Sequence, residues 1–158
     1  MINADTVYNV LNRSSSMVGY TIPELNIRRE FQPGETKKIK FSELEQLTYQ
    51  PGGTTLIQDY FLIREQEVTD ALNIQTEIEY YMNEDNVRDL ILKGSLDQFI
   101  DCLYFAPEGV LEMIKKLAIE LPMNDVEKRE ALKKKTGFDV DAAIKNKMAE
   151  TVDEGAPA

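Results

Sequence analysis

"REFQPGETKKIKFSELEQLTYQPGG", residues 29–53, decides the fold class, because two Pro-Gly steps bracket a change of hydrophobic period. Arg29 and Phe31 continue an alternation begun at Ile27, and Ile39 and Phe41 alternate with Lys38 and Lys40, the period-2 pattern of half-buried strands. Between them Pro33 supplies a fixed φ and Gly34 tolerates a positive one, the chemistry of a type II turn. The stretch therefore predicts two antiparallel strands joined at Pro33-Gly34. At Phe41 the period lengthens. Ser42 with Glu45 matches a capping box and predicts a short helix over about 43–49, which Pro51-Gly52-Gly53 stops.

Working outward, Val18, Tyr20 and Ile22 alternate with Met17, Gly19 and Thr21 until Pro23, and the preceding TVYNVLN is β-branched and aromatic. RSSS between them reads as a polar turn, so these two segments are expected to form a hairpin. After the second Pro-Gly step, TTLIQDY reads as a helical turn or two before FLI returns to a strand.

From Asn83 onward the pattern is helical. Val87, Leu90 and Ile91 mark a helix closed by Gly94; Ser95 and Gln98 form a second capping box ahead of Leu96, Phe99, Ile100 and Leu103 on one face. Pro107 suits the first position of a third helix, whose stripe is Val110, Leu111, Ile114, Leu117, Ala118 and Leu121. Asn124 is expected to cap a fourth helix ending at Gly137, and Asp139 to about Met148 a fifth, with Val140, Ala143, Ile144 and Met148 inward.

The class that follows is α+β. A small antiparallel β-rich part with a short helix occupies residues 1–75, a bundle of short α-helices residues 76–148, and a mobile acidic tail residues 149–158. The expected core of the first part is Val18, Tyr20, Ile22, Phe31, Ile39, Phe41, Leu44 and Leu47. For the second it is Leu90, Phe99, Ile100, Leu103, Val110, Leu111, Ile114, Leu117 and Ile144.

Composition narrows function by exclusion. The 158 residues carry a net charge of −10, with 42% hydrophobic and 29% charged residues, which is a globular composition rather than a disordered one. No apolar run approaches the roughly 20 residues that span a bilayer, so no membrane role is expected. Residues 1–75 hold 10 acids and 7 bases and residues 76–158 hold 18 acids and 11 bases. A surface this acidic repels nucleic acid at long range. MINADTVYNV has neither the basic start nor the apolar stretch of a signal peptide, and the single cysteine fits a reducing interior.

Chemistry-bearing patterns are sparse. The chain has no histidine, which removes His-assisted nucleophilic catalysis and His-bound zinc. Cys102, with no basic neighbour in sequence, reads as a packing residue. Asp97 and Asp101 share a helix face, yet a solvated face and a helix dipole account for both. NEDNVRD lacks the glycine and closing glutamate of an EF-hand, and Gly52-Gly53 before Thr54-Thr55 lacks the Walker lysine. Lys37, Lys38 and Lys40 read as protection of a strand edge. No enzyme, cofactor or metal site is expected.

The one charged surface singled out is Lys128, Arg129, Lys133, Lys134 and Lys135. Cations near a helix C-terminus complement its dipole, but three consecutive lysines point in different directions and cannot all pair with Glu127 and Glu130. The remainder is expected to meet an acidic protein surface rather than DNA, since so few cations neutralise only a few phosphates.

An early NRS, the strand VGYTIPE, PGETK between basic strands and a short helix ending in PGG together resemble small uncharacterised proteins of tailed bacteriophages. GSLDQFIDCLYFAPEGVLEMI and KKKTGFDVDAAI extend the resemblance over most of the chain. It implies a non-enzymatic virion structural or assembly protein, made in the host cytoplasm and located in the virion. Its partners would be other phage structural proteins, copies of itself among them. The alternative is an acidic phage regulatory protein that binds a host protein or, through residues 128–135, nucleic acid.

Overall fold

The computed structural model describes residues 2–75, 80–121 and 123–155. In chain order the elements of the first half are β1 (Val7–Asn12), β2 (Val18–Ile22), a 3-10 turn (Pro23–Leu25), β3 (Ile27–Phe31), β4 (Thr36–Lys40), α1 (Phe41–Thr48), α2 (Gly53–Tyr60), β5 (Phe61–Leu62) and α3 (Gln66–Ala71). The second half is α4 (Glu84–Lys93), α5 (Leu96–Phe105), α6 (Glu108–Glu120), α7 (Val126–Thr136) and α8 (Val140–Gly155). The fold is α+β, with small antiparallel sheets followed by a set of short helices.

The strands are where the alternation puts them, but their pairing is different from that expected. β1 and β2 form no hairpin: β1 lies between β4 and β5 in one antiparallel sheet, and β2 pairs with β3 in another. The Pro33-Gly34 turn forms, with Gly34 at φ 77° and Glu35 N–H donating to Gln32 O at 3.0 Å, yet the strands it joins belong to different sheets.

Asn12 supplies a physical reason. Its side chain is fully buried, and its Nδ2 donates towards Ser16 O, Phe31 O and Gln32 O at 2.8, 3.2 and 3.1 Å. Its Oδ1 accepts from Ser14 N and Oγ, and its main-chain oxygen accepts from Gly34 N at 2.9 Å. One amide thus ties the loop after β1 to the β3–β4 turn, and a buried polar group that satisfied resists any register that breaks it. The polar turn expected at residues 13–16 is accordingly interior at Arg13 and Ser14.

The two sheets meet through aromatic rings. Phe31 lies 4.7 Å from Phe61 between centroids, and Tyr20 meets Phe61 edge-on at 6.2 Å, the tilted and edge geometries that ring quadrupoles favour. Around them Val10, Ile22, Ile39, Leu44, Leu47 and Ile57 are buried, and Val18 is half-buried against the same core.

Ser42 is not the cap expected of it: Lys40 takes that position, and α1 has no side-chain cap. The first amides of the helix, Phe41 and Ser42, instead donate to Thr6 O and Ala4 O at 2.9 Å, so the segment before β1 does the work of a capping hydroxyl. α3 has no counterpart in the sequence reading; Val68 and Leu72 fasten it to the first core.

In the second half the capping box expected at Ser95 and Gln98 forms, and Asn83 with Asn86 makes another that the sequence did not announce. Asn83 and Asn86 exchange bonds at 3.0 Å ahead of α4, and Ser95 and Gln98 do so ahead of α5. Pro107 is the N-cap of α6 rather than its first residue, and Asp125, not Asn124, caps α7 by accepting from Lys128 N at 3.2 Å. α8 runs to Gly155, past the expected end near Met148. Phe99, Leu103, Val110, Leu111, Ile114, Leu117, Leu132 and Val140 are buried together, while Leu90, Ile100 and Ile144, expected inside, are only partly buried.

One core thus draws on residues from Val10 to Ile74 and the other from Tyr80 to Val140. The join between them at residues 76–79 lies outside the described residues, as do Pro122 and residues 156–158 of the tail. The halves dock where α2 crosses α6. Gly109 permits this approach, because a Cβ there would lie 2.4 Å from Asp59 O. Arg13 adds a polar tie, donating from Nη2 to Gln58 O at 2.9 Å and from Nη1 to Tyr80 O at 2.8 Å.

Candidate functional site

α7 carries the five cations singled out above, and its neighbours sort them by function. Lys128 is buried, with 4% of its surface exposed. Its Nζ donates to Ile91 O at 2.9 Å, lies 3.5 Å from Leu90 O, and sits 5.9 Å from the centre of the Phe99 ring. Those carbonyls belong to the last turn of α4, where the helix runs out of its own amides; Leu90 O already accepts from Gly94 N at 3.0 Å, and Lys128 Nζ serves Ile91 O. Lys128 therefore caps a neighbouring helix.

Arg129 and Lys133, one turn apart, face the start of α8. Arg129 binds Met123 O and the Asp141 carboxylate, and Lys133 Nζ lies 3.3 Å from Asp139 Oδ2. Asp139 also accepts from Ala142 N at 3.1 Å, the cap of α8. That backbone bond, with Lys133 beside it, holds the Asp139 carboxyl below its usual range.

Lys135 lies 4.7 Å above the Tyr104 ring, and Lys134 is exposed with no partner among the described residues. Lys128 over Phe99 and Lys135 over Tyr104 order the pair: advancing along α7 advances along α5, so the two helices run in the same direction. Their C-terminal ends lie together. At that end Tyr104 is 51% and Phe105 69% exposed. The five cations are therefore not one patch. The surface that remains is Tyr104, Phe105, Lys134 and Lys135.

Sequence reasoning passed over the two aromatics. The signal was present, since Tyr104 and Phe105 fall off the Leu96/Phe99/Ile100/Leu103 face of α5, where a side chain must look outward or towards another element.

Other polar groupings are accounted for within the fold. Arg29 grips Glu43 with Nε to Oε2 at 3.0 Å and Nη2 to Oε1 at 2.8 Å, and the Tyr20 hydroxyl donates to Oε2. Burial by itself would raise the Glu43 pKa, but the bonds from Arg29 and Tyr20 prevail and hold it below the usual carboxylate value. The same burial, with Glu43 adjacent, pushes the Tyr20 phenol upward. These three side chains join β2, β3 and α1. A groove of about 470 Å³ between α4 and α5 has Cys102 and Leu90 in its lining, with Asn86, Asp89, Lys93 and Gln98 among its polar groups. Asn86 and Gln98 serve the capping boxes, and Asp89 lies 3.8 Å from Lys93.

Among the described residues no group of three or more His, Cys, Asp or Glu side chains is placed to hold a metal ion, and no helix is long and apolar enough to cross a membrane. Asp97 and Asp101 are both exposed on α5. No family model, curated protein or solved structure matches the chain.

Proposed function

We propose that the chain is a non-enzymatic structural or assembly protein of a tailed-bacteriophage particle, acting through contacts with other protein chains. The observation that carries this reading is the exposed pair Tyr104 and Phe105 at the end of α5, with Lys135 over the Tyr104 ring and Lys134 next to it in sequence. Aromatic side chains are enriched at the centres of protein interfaces. Covering one such ring contributes about 1.5–3 kcal/mol, and adjacent lysines favour an acidic partner surface over a neutral one. The phage setting rests on the resemblance of the NRS, VGYTIPE and PGETK segments.

Nucleic acid is a poorer fit to the same region. Lys128, Arg129 and Lys133 are engaged within the fold, which leaves two cations on a chain of net charge −10. Mass spectrometry of purified particles and assembly intermediates tests the proposal. A fixed copy number is expected in wild type and a reduced one in Phe105→Ser/Lys134→Glu. Absence of the wild-type chain from both preparations would overturn it.

A further inference from the structure

Arg13 is 2% exposed, yet among the described residues it forms no ion pair with a carboxylate. Two carbonyls, Gln58 O and Tyr80 O, take its Nη2 and Nη1. Its Nε has no hydrogen-bond partner, and neither does the buried hydroxyl of Tyr81. Both residues line one cavity of about 10 Å³, together with Thr69 and apolar side chains that include Ile57, Phe61 and Ile74. The Thr69 hydroxyl spends its proton on Gln66 O at 3.0 Å and keeps its lone pairs.

A buried donor left unpaired costs about 1–3 kcal/mol. Two orphaned polar groups facing one space are therefore the mark of a third participant. A space of about 10–15 Å³ is the size of one water molecule, and an internal water characteristically makes about three hydrogen bonds to groups that lack partners. A halide or a larger anion exceeds that room. We infer that Arg13 Nε, Tyr81 Oη and Thr69 Oγ1 bind one internal water molecule where the two halves of the chain meet.

The water accepts from Arg13 Nε–H and bonds Tyr81 Oη and Thr69 Oγ1. It thereby joins α3 of the first half to Tyr81 of the second through the guanidinium that already holds Gln58 and Tyr80. Burial draws the Arg13 pKa down to about 10, against the opposing charge of Asp59. That is the behaviour of a cation held chiefly by neutral dipoles.

A crystal structure of the full chain at high resolution tests this directly. A solvent peak is expected at hydrogen-bond distance, about 2.7–3.2 Å, from both Arg13 Nε and Tyr81 Oη. Either a protein oxygen bonded to Nε with no peak, or an anomalous bromide peak there after a bromide soak, would overturn it. In solution, oxygen-17 relaxation dispersion counts waters that outlast tumbling. Thr69→Leu, which extends into the cavity, is expected to hold one fewer than wild type. Should that variant not fold, Tyr81→Phe, which removes one of the three partners, is expected to shorten the residence of that water. Unchanged dispersion in a folded variant of either kind would count against the site.

Discussion

Tyr20 and Arg29 face one another across the β2–β3 ladder, and both close on the carboxylate of Glu43 from α1. The cross-strand pair thus sets where α1 lies. Because the native pKa of Glu43 is depressed below its usual 4.5, its contribution to stability is complete above that value. It is lost as pH falls through the native pKa. Urea midpoints of wild type and Glu43→Gln are expected to differ at pH 7 and to converge under acid. The neutral-pH cost of the substitution is about 2–3 kcal/mol, and a constant difference across the acid range would show that Glu43 does not titrate with folding.

Lys128 and Lys134 lie on the same helix but play opposite parts. Lys128→Ala removes the cation from the last turn of α4 and is expected to destabilise the chain by about 1–3 kcal/mol. Lys134→Glu, fully on the surface, is expected to stay within about 0.5 kcal/mol of wild type. Thermal melts of the two variants compare them directly; equal losses would mean that the burial of Lys128 carries no weight.

Gly109 lets α6 come close to the backbone of α2. Gly109→Ala places a methyl 2.4 Å from Asp59 O, too near for any rotamer to relieve, since Cβ has none. The helices must separate. The expected cost is about 1–3 kcal/mol, with faster amide exchange concentrated in α2 and the start of α6.

Ile114 is completely buried at the centre of the second core. Ile114→Ala is expected to lose about 2–5 kcal/mol. An unchanged melting temperature would place that face of α6 in water.

Elements were legible in the sequence wherever local chemistry decides them. The alternation Val18-Tyr20-Ile22 and the capping box of Ser95 with Gln98 depend on neighbours two or three residues away, and each reads directly. Pairing was not legible. Pro33-Gly34 has the chemistry of a hairpin, but the partners of β3 and β4 follow from the buried amide of Asn12 and from rings contributed by Tyr20, Phe31 and Phe61, all distant in sequence. The same limit applies to the site. Residues 128–135 announce themselves as basic, yet which lysine is interior depends on where the carbonyls of α4 and the rings of α5 come to rest.

The placement of β1 between β4 and β5 also has a consequence in time. Val7–Asn12 is synthesised before both of its partners; one edge waits for Thr36–Lys40 and the other for Phe61–Leu62. In the second half each helix finds its partner within the next two helices, as α4 with α6 and α5 with α7, and shorter loops close faster. The helical half is thus the quicker to form during refolding, although it is made last. The Arg13 seam comes after both, because it needs Gln58 and Tyr80 in place at once.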